Sequence, residues 1–157
     1  MDFISVATAI SLTTWSESTM RRRIADGIVR RRQENCPNGR AMVEFDSILP
    51  HIAFPLDGDD LALILRADGG DPEAQTDLGL KFLFNQNPRG ALYWLELAVK
   101  QDYAAAMYYF GRCHTDGVGV QRNENEGLIW ILKAALLGHA IAEAQMQNAR
   151  ERLAGAI

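Results

Sequence analysis

Seven arginines stand within twenty positions near the start of the chain, at 21, 22, 23, 30, 31, 32 and 40. A guanidinium stays charged and presents a planar fork of donors, so such a cluster suits phosphate oxygens and the O6/N7 edge of guanine. The neighbouring hydroxyls of Ser18 and Thr19 could join it. Elsewhere, reactive groups do not assemble. Cys113 and His114 are sequence neighbours, about 100° apart on a helix, and make a poor dyad. The two cysteines and three histidines fit no zinc spacing. Asp57-Gly58-Asp59-Asp60 lacks the alternation and closing glutamate of a calcium loop and reads as a helix cap before Leu61 to Leu65. Gly117-Val118-Gly119-Val120 lacks the lysine and the preceding strand of a phosphate loop. No catalytic residue, metal or cofactor is expected, and the chain reads as non-enzymatic.

The arginines need elements to aim them. Ser5 can cap a short helix through Val6, Ala7, Ala9 and Ile10; Ser16 can cap a second that runs to Asp26 and stops at Gly27. Two capped helices joined by the turn Leu12-Thr13-Thr14-Trp15 read as a helix-turn-helix. Ile28 to Arg32 and Arg40 to Phe45 look like strands around a turn-rich loop, Gln33 to Gly39, and so form a wing. Asp46 can then cap a short helix through Ile48 and Leu49. On the second helix, Met20 and Ile24 share one side, Ser18, Arg22 and Ala25 the opposite one, and Arg21 and Arg23 flank them. Met20 and Ile24 are expected in the core. Ser18, Thr19 and Arg22 then face outward, while Arg21, Arg23, Arg30, Arg31, Arg32 and Arg40 are placed for phosphates. The same arginines can instead form a solvated face or pair with acids such as Glu17 and Glu34.

The run Ile4-Ser5-Val6-Ala7 to Trp15-Ser16-Glu17-Ser18-Thr19-Met20-Arg21-Arg22-Arg23-Ile24-Ala25-Asp26-Gly27 resembles the excisionase and MerR-like winged helix. The resemblance spans about residues 3–50. It implies a helix entering the major groove of double-stranded DNA, with the wing on the backbone.

From about Asp71 onward the chain repeats itself. Ala104 to His139 gives a helix marked by Ala106, Tyr109, Phe110 and Cys113, then a glycine loop over Thr115 to Val120. A second helix follows Asn123-Glu124-Asn125-Glu126, with Leu128, Trp130, Ile131, Leu132, Ala134 and Ala135 as a wide apolar face, and ends at Gly138. An upstream copy matches it: Ala74 and Ala106 are 32 apart, Trp94 and Trp130 are 36 apart, and Asn85-Gln86-Asn87-Pro88 replaces the glycine loop. A truncated third copy begins at Glu143-Ala144-Gln145. Such periods with two helices each mean a solenoid of helical hairpins. Ala74/Leu78/Gly79, Ala106/Phe110/Gly111, Gly117/Gly119/Val120, Trp94/Ala98 and Trp130/Ala134/Ala135/Gly138 resemble the Sel-one-like repeat, a relative of the tetratricopeptide repeat. Gly127 departs from the usual alanine. The resemblance implies a scaffold that holds a protein partner.

The fold class expected is mainly α: a winged helix-turn-helix at 1–50, a connector and bridging helix at 51–70, and helical repeats at 71–157. At 48% hydrophobic and 23% charged the composition is that of a folded chain. No apolar run approaches the ~20 residues of a membrane-spanning helix, and no basic flank precedes an apolar core at the start. A cytoplasmic location without membrane association is expected, with Cys36 and Cys113 as free thiols. Residues 1–50 balance at +1 and the remainder at −5, so only the first part offers an anion-facing surface. The function expected is a DNA-binding transcriptional regulator with a repeat-bound protein partner; the alternative is a protein-protein adaptor whose winged helix binds protein. A homodimer is possible on either reading, since two full hairpins leave apolar residues such as Met146 and Leu153 at the end of the array.

Overall fold

The computed structural model describes residues 1–33 and 39–156, arranged as two compact units, Met1–Gly69 and Gly70–Ile157. Glu34, Cys36 and most of the expected wing tip lie outside the described residues.

In the first unit a short strand β1 (Phe3–Ser5) leads directly into α1 (Val6–Thr13), followed by α2 (Glu17–Ala25), β2 (Met42–Glu44), α3 (Phe45–Ile48) and α4 (Asp60–Asp68). Both helix starts are made by serines. The Ser5 hydroxyl accepts from Thr8 N–H at 3.2 Å and the Ser16 hydroxyl from Thr19 N–H at 3.1 Å, each satisfying a donor that the first turn leaves open. Thr14 closes α1 in the left-handed region at φ 58°, and Gly27 follows α2 at φ 74°.

The wing differs from the expected hairpin. β2 pairs antiparallel with β1, with Ile4 opposite Val43. Its other edge receives the 30–32 segment through a single bridge, Arg31 to Val43, flanked by Arg32 N–H to Met42 O and Glu44 N–H to Arg30 O. Ile28 to Arg32 is therefore not a full strand, and β1, absent from the sequence reading, takes the other side. Burial favours the β1–β2 pairing: it sets Ile4 beside Val43, and both are fully enclosed with Leu12, Met20 and Ile48. Asp46 caps nothing; α3 starts after Glu44 with no side-chain cap. Nor does a side chain cap α4, where the Asp60 carboxylate instead accepts from Asp57 N–H at 2.6 Å. Ile24, expected in the core, is half-buried.

The second unit is an array of five helices: α5 (Pro72–Phe84), α6 (Pro88–Val99), α7 (Ala104–Asp116), α8 (Glu124–Leu136) and α9 (Ala140–Gly155). Asp71, Asn87, Asn123 and His139 cap four of them through their side chains, and prolines occupy the first position of α5 and α6, where a missing N–H costs nothing. Gly117 and Gly138 end α7 and α8 with positive φ; Asp102 adopts the same region where the first copy lacks the second glycine. The core runs through Leu78, Phe82, Trp94, Leu95, Ala98, Ala106, Cys113, Ile131 and Ala134.

The departure at Gly127 has a packing cause. A Cβ there would lie 2.4 Å from Thr115 Cγ2 and 2.6 Å from Gly111 O, and one on Gly111 would lie 2.7 Å from Gly127 O. The α7–α8 crossing is thus backbone against backbone. At the first copy's equivalent pair, Gly79 and Ala91, a Cβ added to Gly79 would sit 3.3 Å from Ala91 O, so that hairpin is looser and carries an alanine. Gly127→Ala should therefore destabilise the unit by about 1–2 kcal/mol, overpacking strain exceeding the ~1 kcal/mol that alanine gains in helix propensity. Urea denaturation measures this, and a variant more stable than the parent would mean the crossing is not so tight.

Candidate nucleic-acid and protein-docking surfaces

α2 is positioned from below. Met20 is fully buried, which turns Ser18, Arg21 and Arg22 outward. Ser16 Oγ lies 3.0 Å from Ser18 Oγ and 2.9 Å from Thr19 Oγ1, so the two hydroxyls expected to meet bases are tied into the cap. Arg21 pairs with Glu17 one turn back, as one sequence alternative had it. Arg22 is exposed and forms no ion pair among the described residues. Arg23 is half-buried, its guanidinium 5.3 Å from the Trp15 ring centroid and its Nε enclosed without a hydrogen bond among the described residues.

The remaining arginines converge. Arg30, Arg31, Arg32 and Arg40 line one cavity of about 1190 Å³ together with Phe3 and Ile24. Their electrostatic roles differ. Arg30 donates from Nε to the Glu44 carboxylate, a group 6% exposed, and that hydrogen bond raises the guanidinium's pKa above its usual value. Arg32 lies over the Phe3 ring at 5.3 Å. Arg40 donates from Nη2 to Asp68 Oδ1 and from Nη1 to Asp68 O, both at 3.1 Å. Arg31 is exposed, with no ion pair among the described residues.

Asp68, at the end of α4, is the residue that sequence reasoning missed. Its carboxylate accepts from Ser5 N–H at 3.0 Å, Ser5 Oγ at 2.5 Å, Thr8 Oγ1 at 2.6 Å and Arg40 Nη2 at 3.1 Å. The start of α1 and the strand-proximal arginine are thereby fastened to α4. No local signal links these residues, which are separated by up to 63 positions.

In the repeats, Cys113 is a buried free thiol whose pKa burial pushes up to about 11, so it stays protonated and poorly nucleophilic at neutral pH. His114 Nδ1 lies 3.7 Å from Glu126 and its Nε2 is buried without a partner among the described residues. His139 caps α9 by accepting from Ala142 N–H at 3.3 Å and stacks on Tyr108 at 4.7 Å; burial lowers its pKa and favours the neutral ring that such acceptance requires. Among the described residues no three His, Cys, Asp or Glu side chains gather as metal ligands would, and no single helix is long and apolar enough to cross a membrane.

The expected face of α8 needs correction. Ile131 and Ala134 are buried, but Leu132 is 46% exposed, beside exposed Leu128 and Ile129, and Trp130 is half-buried. Trp130 meets Phe110 edge-on at 5.4 Å and carries Lys133 over its ring at 4.2 Å. Met146 is half-buried against the array's own core, whereas Leu153 stays exposed.

Helices paired in successive hairpins, each sealed by small residues at the crossing, define an α-solenoid repeat unit. Residues 72–103 and 104–139, which are the α5–α6 and α7–α8 hairpins, match the Sel1 repeat. Among solved structures, the crystal structure of a Sel1 repeat protein from Oxalobacter formigenes is similar, with 27% identity and a TM-score of 0.51 over 57% of this chain. The chain spans about a quarter of that relative, 27% of its length. No curated protein matches the chain.

Proposed function

We propose that the chain is a DNA-binding regulator whose Sel1 repeats hold a protein partner. The observation that carries the DNA half is α2: Met20 locked in the core, with Ser18, Arg21 and Arg22 on the solvent side of a serine-capped helix. The strand pair beside it fits a winged element, and the arginine-lined cavity next to that pair suits a phosphate backbone. The repeats support the protein-binding half, since stacked hairpins present extended surfaces to partners. A rival reading, an adaptor whose first unit binds protein, is favoured by the ion pairs that already occupy Arg21, Arg30 and Arg40.

Titrating salt against duplex affinity separates the two, because neutralising phosphates gives a steep negative slope of log affinity on log salt. On the DNA reading, Arg22→Ala weakens a preferred site by about 1–3 kcal/mol, the worth of a bidentate base contact. Arg31→Ala weakens all sequences alike and flattens the salt slope by about one unit. If the parent protein shifts no duplex at low salt and tens of micromolar, the adaptor reading stands instead.

A further inference from the structure

The two repeat copies can be compared position by position, and they disagree where it is least expected. Glu96 and Lys100 on the outer face of α6 form an i,i+4 ion pair in solvent, 3.5 Å apart. The equivalent positions of α8 are Leu132 and Leu136, and Leu136 is 77% exposed. Tyr93, partly exposed, is matched by Ile129, and Leu92 by Leu128. Leu92 is half-buried because the loop of the following repeat folds over it: a Cβ on Gly119 would lie 2.7 Å from Leu92 Cδ1. That loop does not reach Glu96 or Lys100, which stay in water. A further repeat stacked in the same way would therefore shelter Leu128 but leave Leu132 and Leu136 bare, so the stripe calls for a different cover.

We propose that the outer face of α8 is a homodimer interface, in which α8 packs antiparallel against α8 of a second copy. Area and charge both favour this occupant. Leu128, Ile129, Leu132 and Leu136 lie on one side of the helix and leave on the order of 400 Å² of apolar surface bare, as large as the biggest patch a monomer normally shows. Doubled by a two-fold axis and widened by a polar rim, the face reaches the ~1,000–1,200 Å² at which specific association begins. A two-fold interface must be self-complementary. With the axis between Ile129 and Leu132, Ile129 of one copy meets Leu132 of the other. Equivalent flanks then run side by side, and Glu126 of one copy comes beside Lys133 of the other. Both residues are exposed on that flank, with Lys133 resting over the Trp130 ring and Glu126 beside His114, so each side chain would turn from that contact to reach the partner copy.

Sedimentation velocity on the full chain, without DNA, tests this, so failure of the dimer and failure of DNA binding register separately. The parent should dimerise with a concentration-dependent midpoint. Leu132→Glu combined with Leu136→Lys writes the first copy's ion pair onto α8; it should give a monomer with unchanged helicity, whose melting no longer depends on protein concentration as the parent's does. Ile129→Asn should weaken the dimer roughly 30-fold or more, the loss expected of a central anchor. Lys133→Glu should weaken it, and adding Glu126→Lys should restore it. A parent that remains monomeric at high micromolar concentration, a Glu/Lys variant that dimerises like the parent, or a charge swap that fails to restore association would each overturn the proposal.

Discussion

Trp94→Ala should lower the stability of the repeat unit by about 3–5 kcal/mol, the range for removing a large aromatic from a core that cannot collapse around the gap. Trp94 is 1% exposed, in the middle of α6, with Leu95 and Ala98 fully enclosed beside it. α6 packs on both α5 and α7, and the second copy's glycine loop closes over its first turns at Pro88 and Leu92. The hole would have walls on every side. Trp130, at the matching position of α8, lacks that loop; half-buried, it should cost clearly less when replaced, about 1–3 kcal/mol. Urea denaturation followed by far-UV circular dichroism reads both. Equal losses would mean that α8 is covered as α6 is, and a loss at Trp94 below about 1 kcal/mol would mean that the repeat register is wrong.

Asp68→Ala should destabilise the first unit by about 2–4 kcal/mol, because it strips the acceptor from buried donors on Ser5 and Thr8. The Asp68 carboxylate is only 7% exposed, so water does not replace it well. Arg40 is half in solvent, and Arg40→Ala should cost under about 1 kcal/mol, as exposed ion pairs do. Asp68→Asn keeps an oxygen acceptor and should fall between the two. Amide signals of residues 1–69 during denaturation distinguish this unit from the repeats. If Arg40→Ala costs as much as Asp68→Ala, the ion pair and not the hydroxyl network holds α4 in place.

The tryptophan positions and the hairpin register were legible, since a period in the mid-thirties and the three-and-four spacing of apolar residues need no knowledge of distant chain. The exposed face of α2 was legible for the same reason: once Met20 points inward, about 100° per residue fixes where Ser18 and Arg22 go. What the candidate surface lacked was the fate of its arginines. Periodicity places Arg40 beside the wing, but not against a carboxylate 28 residues on.

Capping and helical phase act over three or four residues, so Ser5, Ser16, Gly117 and Gly138 marked their boundaries from sequence alone. Decided only by the tertiary structure were the pairing of β1 with β2, the capture of Ser5, Thr8 and Arg40 by Asp68, the backbone contact of Gly111 with Gly127, and the outward turn of Leu132. Each joins or withholds groups distant in sequence, and its free energy depends on which surfaces are left to bury once the local elements have formed. An apolar residue at helical spacing states that a face exists; the neighbours that reach it determine whether that face is core or surface.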